Sequence, residues 1–121
     1  MAGDLPPRAG GGRPVSRVDP IAIDPVLHPP ARLQIAAVLA RVSDAEFAVL
    51  KDVTGVADSV LSKHLSALGE AGYVRLRKAA RDGRQRTWAS LTSSGRKAFA
   101  AHMAALQALA AAAEAAAIAA E

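Results

Sequence analysis

The chain has 121 residues and no cysteine, so it has room for one domain with a tail and cannot hold a disulfide scaffold, a thiolate metal site or a cysteine nucleophile. The lack of cysteine also fits a reducing compartment. The formal net charge of +4 is compatible with a polyanionic partner, but only the positions of the charges can decide that point.

The first twenty residues are rich in proline and glycine and carry Arg8, Arg13 and Arg17. This composition disfavours a packed element, and the segment lacks the apolar run of about 7–15 residues that a secretory signal requires. We interpret residues 1–20 as a disordered basic arm. The alanine-rich C-terminal end is interrupted by Glu114, so we expect no stretch as apolar as the roughly 18 residues of a membrane span. The sequence therefore predicts a cytoplasmic, nucleoid-associated protein with no membrane partner.

A turn over about Asp24–Leu27 and a first helix from about Pro30 to Val42 are predicted next. Proline is tolerated in the first turn of a helix, where its missing N–H would have no partner. Apolar residues then recur at helical spacing, which predicts a largely buried helix. The residues that define its apolar side are Leu33, Ala36, Ala37 and Ala40, widened by Ile35, Val38, Leu39 and Val42.

A short second helix follows, in which Ser43 and Glu46 have capping-box spacing and Gly55 provides the stop. Phe47, Leu50 and Val53 would share its buried side. One alternative stays open at its start, because residues 45–47 could instead form a short strand that pairs with a later hairpin.

Residues 58–72 predict a third helix. Asp58 is a favourable N-cap, Leu61, Leu65 and Leu68 repeat at i, i+4 and i+7, and Gly72 ends the helix. Two helices joined by a tight link to a third are a helix-turn-helix arrangement.

Residues 73–91 alternate with a period of two on both sides of Asp82–Gly83, which predicts a β-hairpin because glycine accepts the positive φ of a tight turn. Trp88 lies on the second strand. Such an aromatic more often anchors a hairpin to its core than stacks on a ligand, so we expect Trp88 to pack on the helices.

A long C-terminal helix is predicted to begin at Thr92, which can cap it, and to continue toward Glu121. One small domain cannot cover a rod of about 45 Å, so its apolar stripe predicts a homodimer in which the same helix of two subunits packs together. The predicted dimer-interface residues are Phe99, Met103, Leu106, Ala110 and Ala113.

A helix-turn-helix followed by an arginine-bearing hairpin is the arrangement of a winged helix, whose third helix enters the major groove and whose hairpin lies along the backbone or minor groove of DNA. On the third helix, Ser59, Ser62, Lys63 and Ser66 point away from the leucines and are short enough to approach base edges. In the hairpin, Asp82 is the sole acidic residue beside a run of cations suited to phosphates. These cations are Arg75, Arg77, Lys78, Arg81, Arg84 and Arg86.

Three segments in order, DPVLHPPARL, LSKHLSALGEAGYV and RQRTWASLTSSGRKAF, resemble the small winged-helix transcriptional regulators of the MarR/ArsR type, and in particular their compact MarR-like group. The resemblance covers about two-thirds of the chain, from Asp24 to about Leu106. It implies that His64 joins the DNA-facing residues of the third helix and that Arg81, Arg84 and Arg86 belong to the wing. Gly69 departs from the pattern, since relatives carry a charged or larger residue there.

The sequence thus predicts a mainly α fold with a small β-hairpin (α+β), a winged helix-turn-helix over residues 21–91 and a dimerisation helix over residues 92–121. The predicted function is sequence-specific binding of double-stranded DNA by a homodimeric repressor, with residues 58–71 as recognition helix and residues 73–90 as wing. A small-molecule effector of unknown identity fits this class. The alternative is a winged-helix module that docks another protein.

No enzyme, metal or cofactor is predicted. The histidines, His28, His64 and His102, are not spaced as a helical metal pair. The serines of TSSGRK have no base suggested nearby that would make one a nucleophile.

Overall fold

The computed structural model describes residues 22–120, and within them lie four α-helices and three β-strands. The strands form one antiparallel sheet in the order β1-β3-β2. The predicted class, mainly α with a small hairpin, is confirmed, whereas the arm predicted for residues 1–20 lies outside the described residues. In chain order the elements are α1 (Pro30–Leu39), β1 (Ala45–Glu46), α2 (Phe47–Thr54), α3 (Asp58–Glu70), β2 (Val74–Arg81), β3 (Arg84–Leu91) and α4 (Ser93–Ala120).

A single cluster of aliphatic side chains joins the helices to the base of the sheet. Each fully buried leucine or isoleucine contributes roughly 1.5–3 kcal/mol relative to an exposed one, which makes this cluster the main source of stability. Its fully or almost fully buried leucine and isoleucine members are Leu27, Ile35, Leu39, Leu50, Leu61, Leu65 and Leu68.

The first helix begins at Pro30 as predicted but ends at Leu39, three residues before Val42. Val42 is 40% exposed and so contributes little to the core. At the end of the helix, the Arg96 guanidinium of α4 donates hydrogen bonds of 3.2 Å to the carbonyls of Ala40 and Val42. The last carbonyls of a helix have no partner within it, so these bonds from α4 satisfy two carbonyls that follow α1.

At the start of α2 the alternative prediction is correct, although the strand is shorter than expected and covers only Ala45–Glu46. Ala45 pairs with Ala89 and Glu46 with Trp88, so the edge of β3 offers the segment backbone partners. The capping box is wrong, because Glu46 occupies the N-cap position without a side-chain cap. The predicted stop is confirmed, since Gly55 takes φ of 71° at the C-cap.

The third helix buries Leu61, Leu65 and Leu68, as predicted. Its N-cap is Ala57 rather than Asp58. Asp58 instead lies in the first turn, where a carboxylate is favoured by the helix dipole, and it forms an exposed ion pair of 2.8 Å with Lys51 of α2.

The hairpin turns at Asp82 and Gly83, with φ of 53° and 75°, and this confirms the predicted tight turn. Residues paired across antiparallel strands lie on the same side of a sheet, so the register divides the side chains into two rows. We call the row that faces the core the inner row: Ala45, Val74, Leu76, Lys78, Ala80, Gln85, Thr87, Ala89 and Leu91. The outer row contains Glu46, Arg75, Arg77, Ala79, Arg81, Arg84, Arg86, Trp88 and Ser90.

This division contradicts the expectation for Trp88. Val74, Ala89 and Leu91 of the inner row are buried in the core, whereas Trp88 pairs with Arg77 in the outer row. The tryptophan therefore lies on the side of the sheet that faces away from the helical core.

The last helix is capped as predicted, since the Thr92 hydroxyl accepts a hydrogen bond of 2.9 Å from the backbone N–H of Gly95. Its buried residues are Gly95, His102 and Ala105, which lie on one side at helical spacing. These three residues, whose types give no strong apolar signal in the sequence, are not among those predicted for the dimer interface. Phe99, Met103 and Leu106 are only half-buried, and Ala110 and Ala113 are exposed.

The expectation that no stretch matches a membrane span is wrong on length and composition. Helix α4 has 28 residues, about 42 Å, and includes an 18-residue window of mean hydropathy 1.6. The many alanines raise that mean although each methyl group removes little surface from water. Only 6% of the window is buried within the chain.

A chain of hydrogen bonds joins the turn before α1 to α4. The Asp24 backbone N–H donates to Nδ1 of His102 at 2.9 Å, and Nε2 of His102 lies 3.5 Å from Nδ1 of His28. The Tyr73 hydroxyl donates to the Asp24 carboxylate at 2.6 Å. Because Nδ1 of His102 accepts, the proton of its neutral ring is on Nε2, which donates to His28.

Burial lowers the pKa of His102, which is fully buried; the nearby charge of His28 lowers it further, and Asp24 opposes both effects. A folded pKa below the unfolded value of about 6.5 means that this stability is present above that pH and is lost as the pH falls. We expect the free energy of unfolding to decrease between pH 7.5 and pH 5.5, measured by urea denaturation.

His102→Gln should flatten this pH dependence, because an amide can accept from Asp24 and donate to His28 without titrating. Burial also lowers the pKa of His64, with a further contribution from Arg32, so His64→Gln measures the separate contribution of that histidine to the pH dependence. An unchanged pH slope in His102→Gln would contradict the assignment to His102.

Candidate nucleic-acid interface

The side of α3 that faces solvent carries mostly short, polar side chains. At 100° per residue, Ser59, Lys63 and Ser66 lie opposite the buried leucines, and all three are exposed. Glu70 continues the same line at the end of the helix, a residue that the sequence prediction did not include. Small hydroxyls and one lysine at the start of this line can approach base edges, whereas a carboxylate at its end would repel phosphates.

Ser62 lies on a flank of α3 rather than on this central line. It follows Asp58 by one turn, and Asp58 reaches Lys51 on α2. The predicted residue Ser62 is exposed, but it faces the side of α3 on which α2 lies.

His64 occupies the opposite flank, against α1. Nε of Arg32 donates to Nδ1 of His64 at 3.1 Å, and the same guanidinium donates to the Val26 carbonyl at 3.2 Å. The half-buried imidazole therefore presents Nε2–H as its remaining donor. Burial is the main cause of the lowered pKa of His64, and the charge of Arg32 adds to it, so His64 is a neutral donor at pH 7.

Three of the predicted wing cations have acidic partners. Arg77 lies 2.6 Å from Asp44, and Glu46 contacts both Arg86 and, at 3.7 Å, Arg81. The expectation that these arginines have no acidic neighbour besides Asp82 is therefore wrong. The two carboxylates precede the hairpin by some thirty residues of sequence and reach it only because β1 pairs with β3.

The outer row also stacks arginine on tryptophan. The guanidinium carbons of Arg77 and Arg81 lie 5.5 Å and 5.8 Å from the centroid of the Trp88 ring, within the range of a cation–π interaction. Nε1 of Trp88 and Nε of Arg86 are buried without a hydrogen-bond partner within the described part of the chain.

Lys78 and Arg84 are exposed, and neither forms an ion pair with any residue between 22 and 120. Arg84 begins β3 at the tip of the hairpin, and Lys78 lies in the inner row where the strands extend past the core. Arg75 is exposed nearer the base. The structure thus places a polar helix face and a cation-bearing hairpin on consecutive elements, α3, β2 and β3.

Among residues 22–120, no three histidine, aspartate or glutamate side chains are grouped so that they could hold a metal ion. The His28–His102 pair has the required proximity, but the proton on Nε2 of His102 occupies the position that a metal would need.

Comparison with known proteins identifies the fold family. The model of the winged helix DNA-binding domain family matches residues 31–110. The chain belongs to this family. The match includes most of α1, then α2, α3, the hairpin and the first part of α4, so the winged-helix family predicted from the sequence is confirmed.

Individual relatives agree with this assignment. An uncharacterised protein of Methanocaldococcus jannaschii is 37% identical over 68 residues, which are 56% of this chain and 74% of the relative. A transcriptional regulator homologue from Pyrococcus horikoshii superposes with a TM-score of 0.65 at 27% identity and covers 69% of this chain and 83% of its own. The structure of NadR in complex with 4-hydroxyphenylacetate shares the fold with a TM-score of 0.59 at 24% identity, over 74% of this chain and 66% of NadR.

This winged-helix protein is therefore of a regulator family whose members bind DNA and are generally not enzymes. The family assignment covers α3 and the hairpin together. It does not by itself distinguish wing cations that are free from those held by Asp44 and Glu46, and that distinction comes from the side-chain geometry.

Proposed function

We propose that this protein is a sequence-specific transcriptional regulator that binds double-stranded DNA as a homodimer. The observation that carries the proposal is the polar line of Ser59, Lys63 and Ser66 on the solvent side of α3, directly followed in the chain by a hairpin with exposed cations. In a winged helix this helix enters the major groove, where hydroxyl and ammonium groups meet base edges.

In this proposal the wing lies along the DNA backbone or the minor groove. Arg84 and Lys78 bind phosphates, because both are exposed and unpaired among the described residues. Ser62 and His64 lie on the two sides of the polar line that Ser59, Lys63 and Ser66 form on α3. Three further wing arginines belong to the same surface but are engaged by carboxylates: Arg77, Arg81 and Arg86.

The experiment that tests DNA binding is a fluorescence anisotropy titration of labelled duplexes at several salt concentrations. We expect the logarithm of the affinity to fall linearly with the logarithm of the salt concentration, by about 0.9 for each phosphate that the protein neutralises. A duplex selected from a random library should bind at least about 10³-fold more tightly than random DNA. Strong binding of another protein with no salt-dependent DNA binding would instead support the docking-module alternative.

A second copy of the chain is the proposed partner of α4. Beyond the residues that pack on its own domain, the helix exposes Leu109 (49%) and Ile118 (70%) among alanines. The match to the DNA-binding domain family extends to residue 110 and so includes the first part of α4. We therefore propose that the α4 helix of a second copy, rather than lipid, covers this apolar surface. The proposed interface also contains Phe99, Met103, Leu106, Ala110 and Ala113.

Truncation tests the dimer. Ending the chain after Arg96 would remove the buried His102 and Ala105 and so disturb the fold. We expect a chain ending after Gln107 to keep its fold by circular dichroism and to be a monomer by light scattering at tens of micromolar, while the full chain is a dimer without detergent. A monomeric full chain would contradict the proposal.

The regulator is proposed to work in the cytoplasm as a repressor. Repression requires only that the dimer occupy a promoter, whereas activation would need a further surface for the transcription machinery. The structure of NadR with 4-hydroxyphenylacetate supports a small-molecule effector for this chain too, and the groove between α4 and the DNA-binding elements of a dimer is its natural place.

A further inference from the structure

We propose that Glu46 restrains the wing by holding Arg81 and Arg86 away from DNA phosphates, so that it limits how strongly the protein binds DNA of any sequence. This inference rests on the proposed function and adds to it a residue that sets the balance between specific and non-specific binding. Glu46 precedes the hairpin in sequence and belongs to the two-residue strand β1.

The position of Glu46 makes one carboxylate serve two arginines. Glu46 pairs with Trp88 across β1 and β3, which places its side chain in the outer row beside the arginines. One carboxylate oxygen contacts Nη1 of Arg86, and the other lies 3.7 Å from Nη1 of Arg81. The Glu46 side chain is 13% exposed and that of Arg86 33%, so water and salt screen this pair less than they would at an open surface. Arg81 is 58% exposed, so its contact with Glu46 is screened more.

Arg81 shows the restraint most clearly. Its backbone pairs with Arg84 at the tip of the hairpin, yet its guanidinium lies 5.8 Å from the ring of Trp88, four residues farther along β3. Four residues of a strand span about 13 Å. The Arg81 side chain therefore folds back from the tip toward Glu46 and Trp88 instead of extending outward.

An arginine held in this way contributes little to phosphate binding. Its charge is already neutralised by a carboxylate, so contact with a phosphate must first break that ion pair and releases less counterion from the DNA. The restraint applies equally to all sequences, because phosphate contacts carry no sequence information directly. Specificity then depends more on α3 than on the wing.

Glu46→Gln is the direct test, since the amide keeps the shape and removes the charge. On a random 30-base-pair duplex we expect affinity to rise about tenfold and the salt dependence to steepen by about one to two units, as two arginines become free for phosphates. Asp44→Asn frees only Arg77, so it should steepen the salt dependence of DNA binding by at most about one unit. Asp52→Asn makes the same change in net charge on α2 and should leave the salt slope unchanged, because Asp52 pairs with no cation in the described chain.

Two further measurements keep the test independent of how Glu46→Gln folds. In the otherwise unchanged protein, Arg84→Ala should reduce the salt slope by about 0.9, whereas Arg81→Ala should change it far less. In an Arg81→Ala, Arg86→Ala background, adding Glu46→Gln should no longer raise affinity.

The inference is overturned if folded Glu46→Gln binds random DNA no better than the unchanged protein, or if Arg81→Ala reduces the slope as much as Arg84→Ala. A weaker Glu46→Gln would mean that the carboxylate positions the wing for binding instead. If the unchanged protein shows no salt-dependent DNA binding, the proposed function itself fails, a result that is separate from any difference between these variants.

Discussion

Gly95→Ala is expected to destabilise the fold by about 3 kcal/mol or more, because it places a methyl group inside the space of another backbone segment. An added Cβ would lie 2.1 Å from the Tyr73 carbonyl oxygen and 2.9 Å from Cδ2 of Leu91. The carbonyl cannot easily move away, since it accepts a hydrogen bond of 3.0 Å from the Thr92 N–H. Urea denaturation at a fixed protein concentration measures the loss.

Gly69→Ala is the matched control for this variant. Gly69 lies inside α3, and an added Cβ would meet only the Val74 carbonyl oxygen at 3.8 Å, an ordinary contact. Glycine inside a helix costs about 0.5–1 kcal/mol relative to alanine, so we expect Gly69→Ala to stabilise the protein by about that amount. Equal effects of the two substitutions would contradict the close approach of α4 to the start of β2.

The second large effect is expected on α3. Replacing Ser59 and Lys63 together by alanine should lower the affinity for the preferred DNA site by roughly 1–3 kcal/mol for each base that these two side chains read. Random DNA should lose only what Lys63 contributes through phosphates. Anisotropy titrations with a selected duplex and a scrambled duplex measure the two affinities.

Ser62→Ala is the matched control, since Ser62 is equally small but lies on the flank toward α2, and its effect on discrimination should be smaller. Leu65→Ala separates folding from reading, because truncating this buried side chain should cost about 2–5 kcal/mol of stability. Full discrimination in a folded Ser59 and Lys63 double variant would exclude α3 as the reading helix.

Features encoded by nearby residues could be predicted from the sequence. Leu61, Leu65 and Leu68 specify the buried side of α3 through helical spacing, and Asp82–Gly83 specifies the hairpin turn through its φ angles. The three motifs likewise carried the family assignment, because their order and spacing reflect the fold as a whole.

Features that depend on distant residues could not be predicted. Strand β1 has only two residues, too few to show alternation, and it forms because β3 offers a backbone partner. That pairing brings Glu46 to the wing arginines, so the charge of the wing could not be judged from the hairpin segment alone.

The buried side of α4 was missed for a related reason. Gly95 and His102 are buried there because the turn before α1 and the start of β2 approach the helix closely. Their residue types signal neither apolar burial nor helix packing when read along the sequence alone.

The separation of the hairpin into two rows limits how this wing can change during evolution. A single-residue insertion at the base of β2, before Arg75, would turn Arg75, Arg77 and Arg81 to the inner side of the sheet. The inner-row residues of β2 that alternate with them would then face the outer side. Insertions of two residues, matched on both strands, keep every side chain on its present side. Natural variants of the wing should therefore differ in length by pairs of residues on each strand, and odd changes should be confined to the turn.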